Sequence, residues 1–229
     1  MIKRFIILFV TVLPLFSFAQ KMSYKEWQEE SKNEIRLLPE YGNTPKSKEQ
    51  QKADEEFIST ALKEDGDYRK ASDHLVTLGF NYLYKGDIKT AMYRFNQAWL
   101  LDNKNENVYW GFGSVYFTFN DINEALKQLE KGLQINPQSS NILTDKATIY
   151  MKDYANGLNS DYLNKAIEIF NESYKIDPSN QNTLFKLSAA YFYKKDCSNA
   201  WRFYDECMKL GGKSISPAYA DALKKQCNR

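Results

Sequence analysis

The feature that most constrains this chain is a small–bulky–small pattern that recurs four times. Each copy begins with an alanine, has a bulky residue four positions later and another small residue three after that, as in Ala91, Phe95 and Ala98. The alanines lie 34, 41 and 34 residues apart, at Ala91, Ala125, Ala166 and Ala200. A period of this length indicates an array of repeated structural units.

A second pattern precedes each alanine. A small residue is followed three positions later by tyrosine, at Gly79/Tyr82, Gly113/Tyr116, Ala147/Tyr150 and Ser188/Tyr191. Offsets of three, four and seven place residues on one face of a helix. Each unit is therefore predicted to be two amphipathic helices, A and then B. Because a lone hairpin of this kind cannot bury its apolar face, neighbouring units must stack.

This arrangement resembles the tetratricopeptide repeat family, whose unit is a helix-turn-helix of about 34 residues. The first copy matches the family pattern at Leu75, Leu78, Gly79, Tyr82, Ala91, Phe95 and Ala98. The resemblance implies an all-α, right-handed superhelical solenoid with repeats at 72–105, 106–139, 140–180 and 181–214. The third repeat has seven extra residues, which we expect at 154–162, between its two helices.

Helices are also predicted on both sides of the repeats. Residues 24–38 and 46–64 are interpreted as two helices of an N-terminal cap region, 20–71, and the second is expected to cover the open face of the first repeat. After the repeats, Ser216 and Pro217 form a favourable helix start. Residues 215–229 are therefore predicted to form a C-terminal capping helix and the C-terminus.

The first 19 residues have the character of an export signal. Lys3 and Arg4 precede an apolar run from Phe5 to Phe16, and small residues precede a predicted cleavage after Ala19. The alternative is a membrane anchor, but spanning a bilayer takes about 20 apolar residues. We therefore expect export from a bacterial cytoplasm, to the periplasm or as a secreted protein, without stable membrane insertion after cleavage.

Composition and residue types disfavour several classes of function. The chain has 31 basic and 29 acidic residues, which leaves no evident electrostatic attraction to nucleic acid. The single histidine, His74, has no second histidine or cysteine at metal-ligand spacing. No glycine-rich phosphate loop follows a predicted strand. We therefore expect no enzyme activity, no metal and no cofactor.

Three cysteines, Cys197, Cys207 and Cys227, lie near the C-terminus. Cys197 falls in the turn before the last B helix, and Cys207 falls at a small-residue position within it. A capping helix antiparallel to that B helix would return Cys227 to the level of Cys197. A disulfide between these two is permitted in an exported protein, and three separate thiols are the alternative.

The resemblance also implies a binding surface, because members of the family line a concave groove with fixed positions of their A helices. Carried over to this chain, the candidate peptide-binding residues are Val76, Phe80, Tyr84, Asn107, Trp110, Phe117, Asn141, Met151, Asn182, Phe185, Phe192 and Tyr193. Asparagine amides can donate and accept hydrogen bonds to an extended peptide, and aromatic side chains dominate many interfaces. Alternatively, the asparagines serve only as helix caps, and some aromatics pack against adjacent helices.

Two functions follow from this reasoning. The first is a non-catalytic interaction module that binds a partner protein or peptide segment in the concave groove, in the cell envelope. The second is a structural subunit of an envelope complex that docks through its N-terminal helices and convex surface, with no peptide in the groove. Members that clamp acidic chaperone tails carry Lys and Asn on the first A helix and Lys and Arg on the third. This chain has Val76, Phe80, Asn141 and Asp145 at the matching positions, so no such clamp is expected.

Overall fold

The computed structural model describes residues 22–157 and 159–228. The predicted signal segment and its cleavage after Ala19 lie outside these residues. Within them the chain is helical and contains no strand. The α-helices are α1 (Tyr24–Ser31), α2 (Lys48–Asp65), α3 (Tyr68–Tyr84), α4 (Ile88–Leu101), α5 (Glu106–Thr118), α6 (Ile122–Ile135), α7 (Ser140–Gly157), α8 (Ser160–Ile176), α9 (Gln181–Tyr193), α10 (Cys197–Lys209) and α11 (Pro217–Cys227).

Four antiparallel hairpins form the body of the molecule: α3–α4, α5–α6, α7–α8 and α9–α10, each stacked on the next. Three of the turns inside the hairpins have the same construction. An aspartate caps the following helix, with the side chains of Asp87, Asp121 and Asp196 accepting hydrogen bonds from backbone N–H groups of its first turn. The residue before each aspartate has a left-handed backbone. The α3 helix begins at Tyr68, one turn before the predicted start of the first repeat.

Two glycines on neighbouring A helices allow both helices to lie close to one aromatic ring. Phe95 on α4 is fully buried. A Cβ atom built on Gly79 of α3, or on Gly111 of α5, would lie 2.4 Å from an atom of the Phe95 ring. One ring therefore fills the space between two A helices, and the two glycines are what make that space available.

The buried apolar residues form two clusters that meet at α7. The first cluster contains Trp27, Leu37 and Ala61, the buried apolar residues of α3 to α6, and Ile142 and Ile149 of α7. The second contains Leu143 and Ala147 of α7 together with residues of α8 to α10. Leu133, which is partly buried, packs against both clusters. The α7 helix thus lies on the boundary between two cores.

The third hairpin differs from the expectation that its seven extra residues form a connection. The α7 helix continues to Gly157 and has 18 residues, and α8 starts at Ser160 and has 17. The helices of the preceding hairpin have 13 and 14. The extra residues therefore lengthen the two helices, and the rings of Tyr150 and Tyr162 stack across them with centroids 6.5 Å apart.

The N-terminal region also departs from the prediction of one helix over 24–38. The α1 helix ends at Ser31, and two short 3-10 turns follow, at Ile35–Leu37 and Pro39–Asn43. Proline cannot continue a preceding helix, and the backbones of Glu40 and Tyr41 are left-handed. The second predicted helix corresponds to α2, which packs against α3, the first helix of the array.

Residues 22–43, here called the N-terminal strap, cross the outer side of α4. Asn96 of α4 is fully buried beneath them. Its side-chain amide donates to the carbonyl oxygens of Arg36 and Leu38, both at 2.9 Å, and its oxygen accepts from the backbone N–H of Tyr41 at 3.1 Å. One side chain thereby satisfies three backbone groups of an irregular segment.

The start of the strap reaches the turn between α5 and α6. The buried indole of Trp27 packs on Phe119 with ring centroids 5.0 Å apart. The Tyr24 hydroxyl donates to the carboxylate of Asp121. These contacts attach the strap to the second hairpin as well as the first.

The α11 helix closes the other end of the array. Ser216 caps it by accepting from the backbone N–H of Tyr219, and Leu223 is its buried residue. A disulfide joins Cys197 to Cys227, with Cα atoms 5.4 Å apart, and Cys207 is a buried free thiol. None of the helices in 22–157 and 159–228 is both long and apolar enough to cross a membrane.

Candidate functional site

A cavity of about 300 Å³ opens on the side of the array formed by the A helices α3, α5 and α7. Four aromatic residues from the predicted groove set line it: Phe80 and Tyr84 from α3, and Trp110 and Phe117 from α5. Spacings of four and seven residues place each pair on one face of its helix. The repeat pattern thus brings four rings together across two hairpins.

The rings differ in how much of their surface is exposed. Phe80 is 9% exposed and packs on Trp110 with centroids 4.3 Å apart, so it forms an inner wall of the cavity. Tyr84 is 79% exposed and stands at the rim, 6.1 Å from Phe80. Val76, one turn before Phe80, is 6% exposed and belongs to the hydrophobic core. Its side chain packs within that core and is not among the residues that line the cavity.

A carboxylate lies among these rings. The Trp110 indole Nε1–H donates to Asp145 Oδ2 on α7 at 2.6 Å. Burial raises the pKa of Asp145 above the usual aspartate range, while the indole hydrogen bond and the charge of Lys186 act in the opposite direction. Burial also lowers the pKa of Lys186. The sequence singled out Asp145 only because it stands where chaperone-clamping relatives have a different residue. Its contact with Trp110 depends on the spacing of α5 and α7.

Hydroxyl groups complete the cavity. Ser114 donates to the carbonyl of Trp110 at 2.9 Å, and Thr148 donates to the carbonyl of Thr144 at 2.8 Å. Both residues line the cavity. Because their hydrogens are used within their own helices, the oxygen atoms remain as acceptors for a bound group.

A second cavity, of about 260 Å³, is bounded by α7, α9 and α11. It is lined by four predicted groove residues, namely Met151, Phe185, Phe192 and Tyr193. Tyr219 of α11 also lines it, and this ring lies 5.3 Å from Phe185 and 5.9 Å from Phe192. The capping helix thus covers part of the aromatic surface at this end. This agrees with the alternative that some of the predicted groove aromatics pack against an adjacent helix.

The three asparagines of the predicted groove rim are not the helix caps. Asn105 and Asn180 cap α5 and α9, accepting from the backbone N–H groups of Asn107 and Asn182. Asn141 accepts from the side chain of Asn180 at 3.0 Å. Of the three, Asn182 alone lines the first cavity. Capping therefore explains Asn105 and Asn180, and leaves the side chains of Asn107 and Asn182 free of that role.

The single histidine and the acidic and sulfur-containing side chains bear on the expectation of no metal site. His74 is half exposed on α3 and its Nδ1 lies 3.1 Å from an Asp65 carboxylate oxygen. Groups of three or more His, Cys, Asp or Glu side chains placed to hold a metal ion are absent from 22–157 and 159–228.

Comparison with known proteins bears on the repeats. The family model described as tetratricopeptide repeat matches residues 82–152. A search of curated proteins found no match. The structure is similar to that of TTC0263, a thermophilic tetratricopeptide protein from Thermus thermophilus, at 14% identity and a TM-score of 0.57, covering 68% of this chain and 80% of that one. It is also similar to pilF of Pseudomonas aeruginosa, at 16% identity and a TM-score of 0.57, covering 69% and 68%. At these identities the likeness concerns the fold.

Proposed function

We propose that this chain, a tetratricopeptide-repeat protein, is a non-catalytic interaction module that holds an extended segment of a partner protein in its concave groove. Repeats of this family mediate protein–protein interactions, and the finer assignment to the groove is the proposal. The first cavity, lined by Phe80, Tyr84, Trp110 and Phe117, is the centre of the proposed site.

The observation that carries the proposal is the convergence of four aromatic rings on one concave cavity. Apolar surface left facing water in a concavity marks binding sites more often than scattered exposed residues do. Tyr84 is the clearest case, because 79% of this residue is exposed although it belongs to the aromatic cluster. A bound segment would cover this ring, and the removal of its apolar surface from water would favour binding.

The alternative is docking through the N-terminal helices and the B-helix surface. The strap already lies over α4, with Asn96 and Tyr41 bonded to each other across the contact. It also reaches α6, where Lys131 pairs with Glu40 at 2.6 Å. Part of the outer surface is therefore covered by the chain itself, which favours the groove.

Two exposed tyrosines on α3 allow a matched test. Tyr84 lines the first cavity and Tyr68, which is 52% exposed, begins the same helix outside it. Peptides selected from a random display library on the oxidised mature protein would be measured by fluorescence polarisation. We expect Tyr84→Ala to weaken binding about tenfold, as truncation of an interface aromatic does. Tyr68→Ala should leave binding unchanged, and equal affinities for the two variants would refute the groove.

Export to the bacterial envelope is also part of the proposal. It is supported by the basic start and apolar run of the first 19 residues, and by the Cys197–Cys227 disulfide, which suits an oxidising compartment. Mass spectrometry of the protein recovered from a periplasmic fraction is the test. An N-terminus at Gln20 is expected, and a chain that retains residues 1–19 in the cytoplasm would contradict it.

A further inference from the structure

The carboxylate of Asp145 forms no ion pair among the described residues, although the charge of Lys186 acts on it. Its Oδ2 accepts from Trp110, and no donor within the described ranges reaches its Oδ1. Lys186 is close enough to influence its pKa but forms no ion pair with it, and instead lines the second cavity. An unpaired carboxylate in a partly buried position is unfavourable unless something neutralises it.

The walls around Asp145 suit a positive charge. Aromatic faces carry partial negative potential and attract ammonium and guanidinium groups within about 6 Å. Phe117 shows this attraction within the chain itself, since Lys152 lies 5.0 Å from its ring centroid. Lys152 is held at that place by the side chain of Asn120. It forms no ion pair with Asp145 in the described structure.

The size of the cavity limits what can enter. A volume of about 300 Å³ is at the small end of the range for ligand pockets. It suits one long side chain with an aliphatic stem and a charged end, and the hydroxyl oxygens of Ser114 and Thr148 offer further acceptors at its edge.

We infer that the first cavity takes a lysine or arginine side chain of the bound segment, with its stem against Phe80 and Trp110 and its cation on Asp145. This inference rests on the proposed function and adds the chemistry of the ligand. The segment is thus expected to be basic at one position and extended on either side of it.

The test uses two small probes that differ in the terminal ammonium group of the side chain. N-acetyl-lysine methylamide and the neutral N-acetyl-norleucine methylamide are titrated into the ¹⁵N-labelled, oxidised mature protein. The indole N–H signal of Trp110, identified by its loss in Trp110→Phe, reports on the cavity directly because that group bonds to Asp145. We expect the lysine probe to bind about tenfold more tightly than the norleucine probe.

Asp145→Asn provides the charge control, because an asparagine oxygen still accepts from the indole. We expect this variant to lose the preference for lysine, whereas Glu172→Gln, an exposed position on α8, retains it. Equal binding of the two probes to the wild type would overturn the inference but leave an apolar groove and the proposed function intact. A lysine preference that survives Asp145→Asn, or an indole signal that neither probe moves, would also overturn it.

Discussion

Replacing Gly111 with alanine tests whether the Phe95 ring fixes the distance between the first two hairpins. The added methyl group would lie 2.4 Å from Cδ1 and Cε1 of Phe95 and 2.7 Å from Cγ. Real carbon–carbon contacts are optimal at about 3.5–4.0 Å. The ring has little room to retreat, because it is fully buried and Gly79 lies against the same Cδ1 and Cε1 atoms.

Two effects of opposite sign decide the size of the change. Alanine in a helix interior is favoured over glycine by about 0.5–1 kcal/mol. Overpacking a close-packed core costs typically about 1–3 kcal/mol. We therefore expect Gly111→Ala to lower the free energy of unfolding by about 1–2 kcal/mol. Gly157→Ala, where nothing lies within 4 Å of an added Cβ, should stay within about 0.5 kcal/mol of the wild type.

The assay is urea unfolding followed by far-ultraviolet circular dichroism on the oxidised protein. A second measurement in a Phe95→Ala background isolates the collision, because there Gly111→Ala should become neutral or stabilising. A Gly111→Ala protein as stable as the wild type, with Phe95 present, would refute the view that this ring is held between two glycines.

Three further outcomes are expected. Replacing Cys197 and Cys227 with serine should reduce stability by about 3–4 kcal/mol, because the bond closes a loop across a separation of 30 residues; thermal melts with and without reductant measure this, and identical melts would contradict it. Asp145→Asn should gain stability relative to the wild type as the pH rises above about 4, because a carboxyl whose pKa is raised in the folded state opposes folding once it is ionised. If the two proteins differ in unfolding free energy by the same amount at acidic and neutral pH, the prediction is wrong. Asn96→Ala should lower the free energy of unfolding by about 2–4 kcal/mol and make the strap sensitive to protease, because three backbone groups lose their partner. Asn123→Ala, at an exposed position, is the control, and equal protease resistance of the two variants would disprove the role of Asn96.

The helical array could be predicted from the sequence because its determinants are local and repeated. The spacing of Ala91, Phe95 and Ala98 indicates one helix face, and the same spacing in each copy indicates stacking. The aromatic residues of the first cavity were expected from the resemblance to the tetratricopeptide repeat family, whose A helices line a groove with fixed positions. The burial of Val76 could not be predicted, because a residue's position within a repeat does not say how much of its side chain is covered.

The N-terminal strap and the charged part of the site could not be predicted in this way. Asn96 carries no sign in the sequence that it will satisfy the backbone of residues 36–41, since those contacts span about 60 positions. The bond between Trp110 and Asp145 joins two helices of different repeats. The lengthening of α7 was missed because residues 154–157 suit a loop as well as a helix end, and packing between Tyr150 and Tyr162 favours the helix.

The position of α7 between two separate hydrophobic cores has a mechanical consequence. Ile142 and Ile149 belong to one core and Leu143 and Ala147 to the other, so we expect any bending of the array to concentrate at this helix. The first cavity lies across this boundary between the cores, because Asp145 belongs to α7 whereas the rings belong to α3 and α5. A ligand that contacts residues on both sides would stabilise both parts of the array together, because it binds only where both are folded.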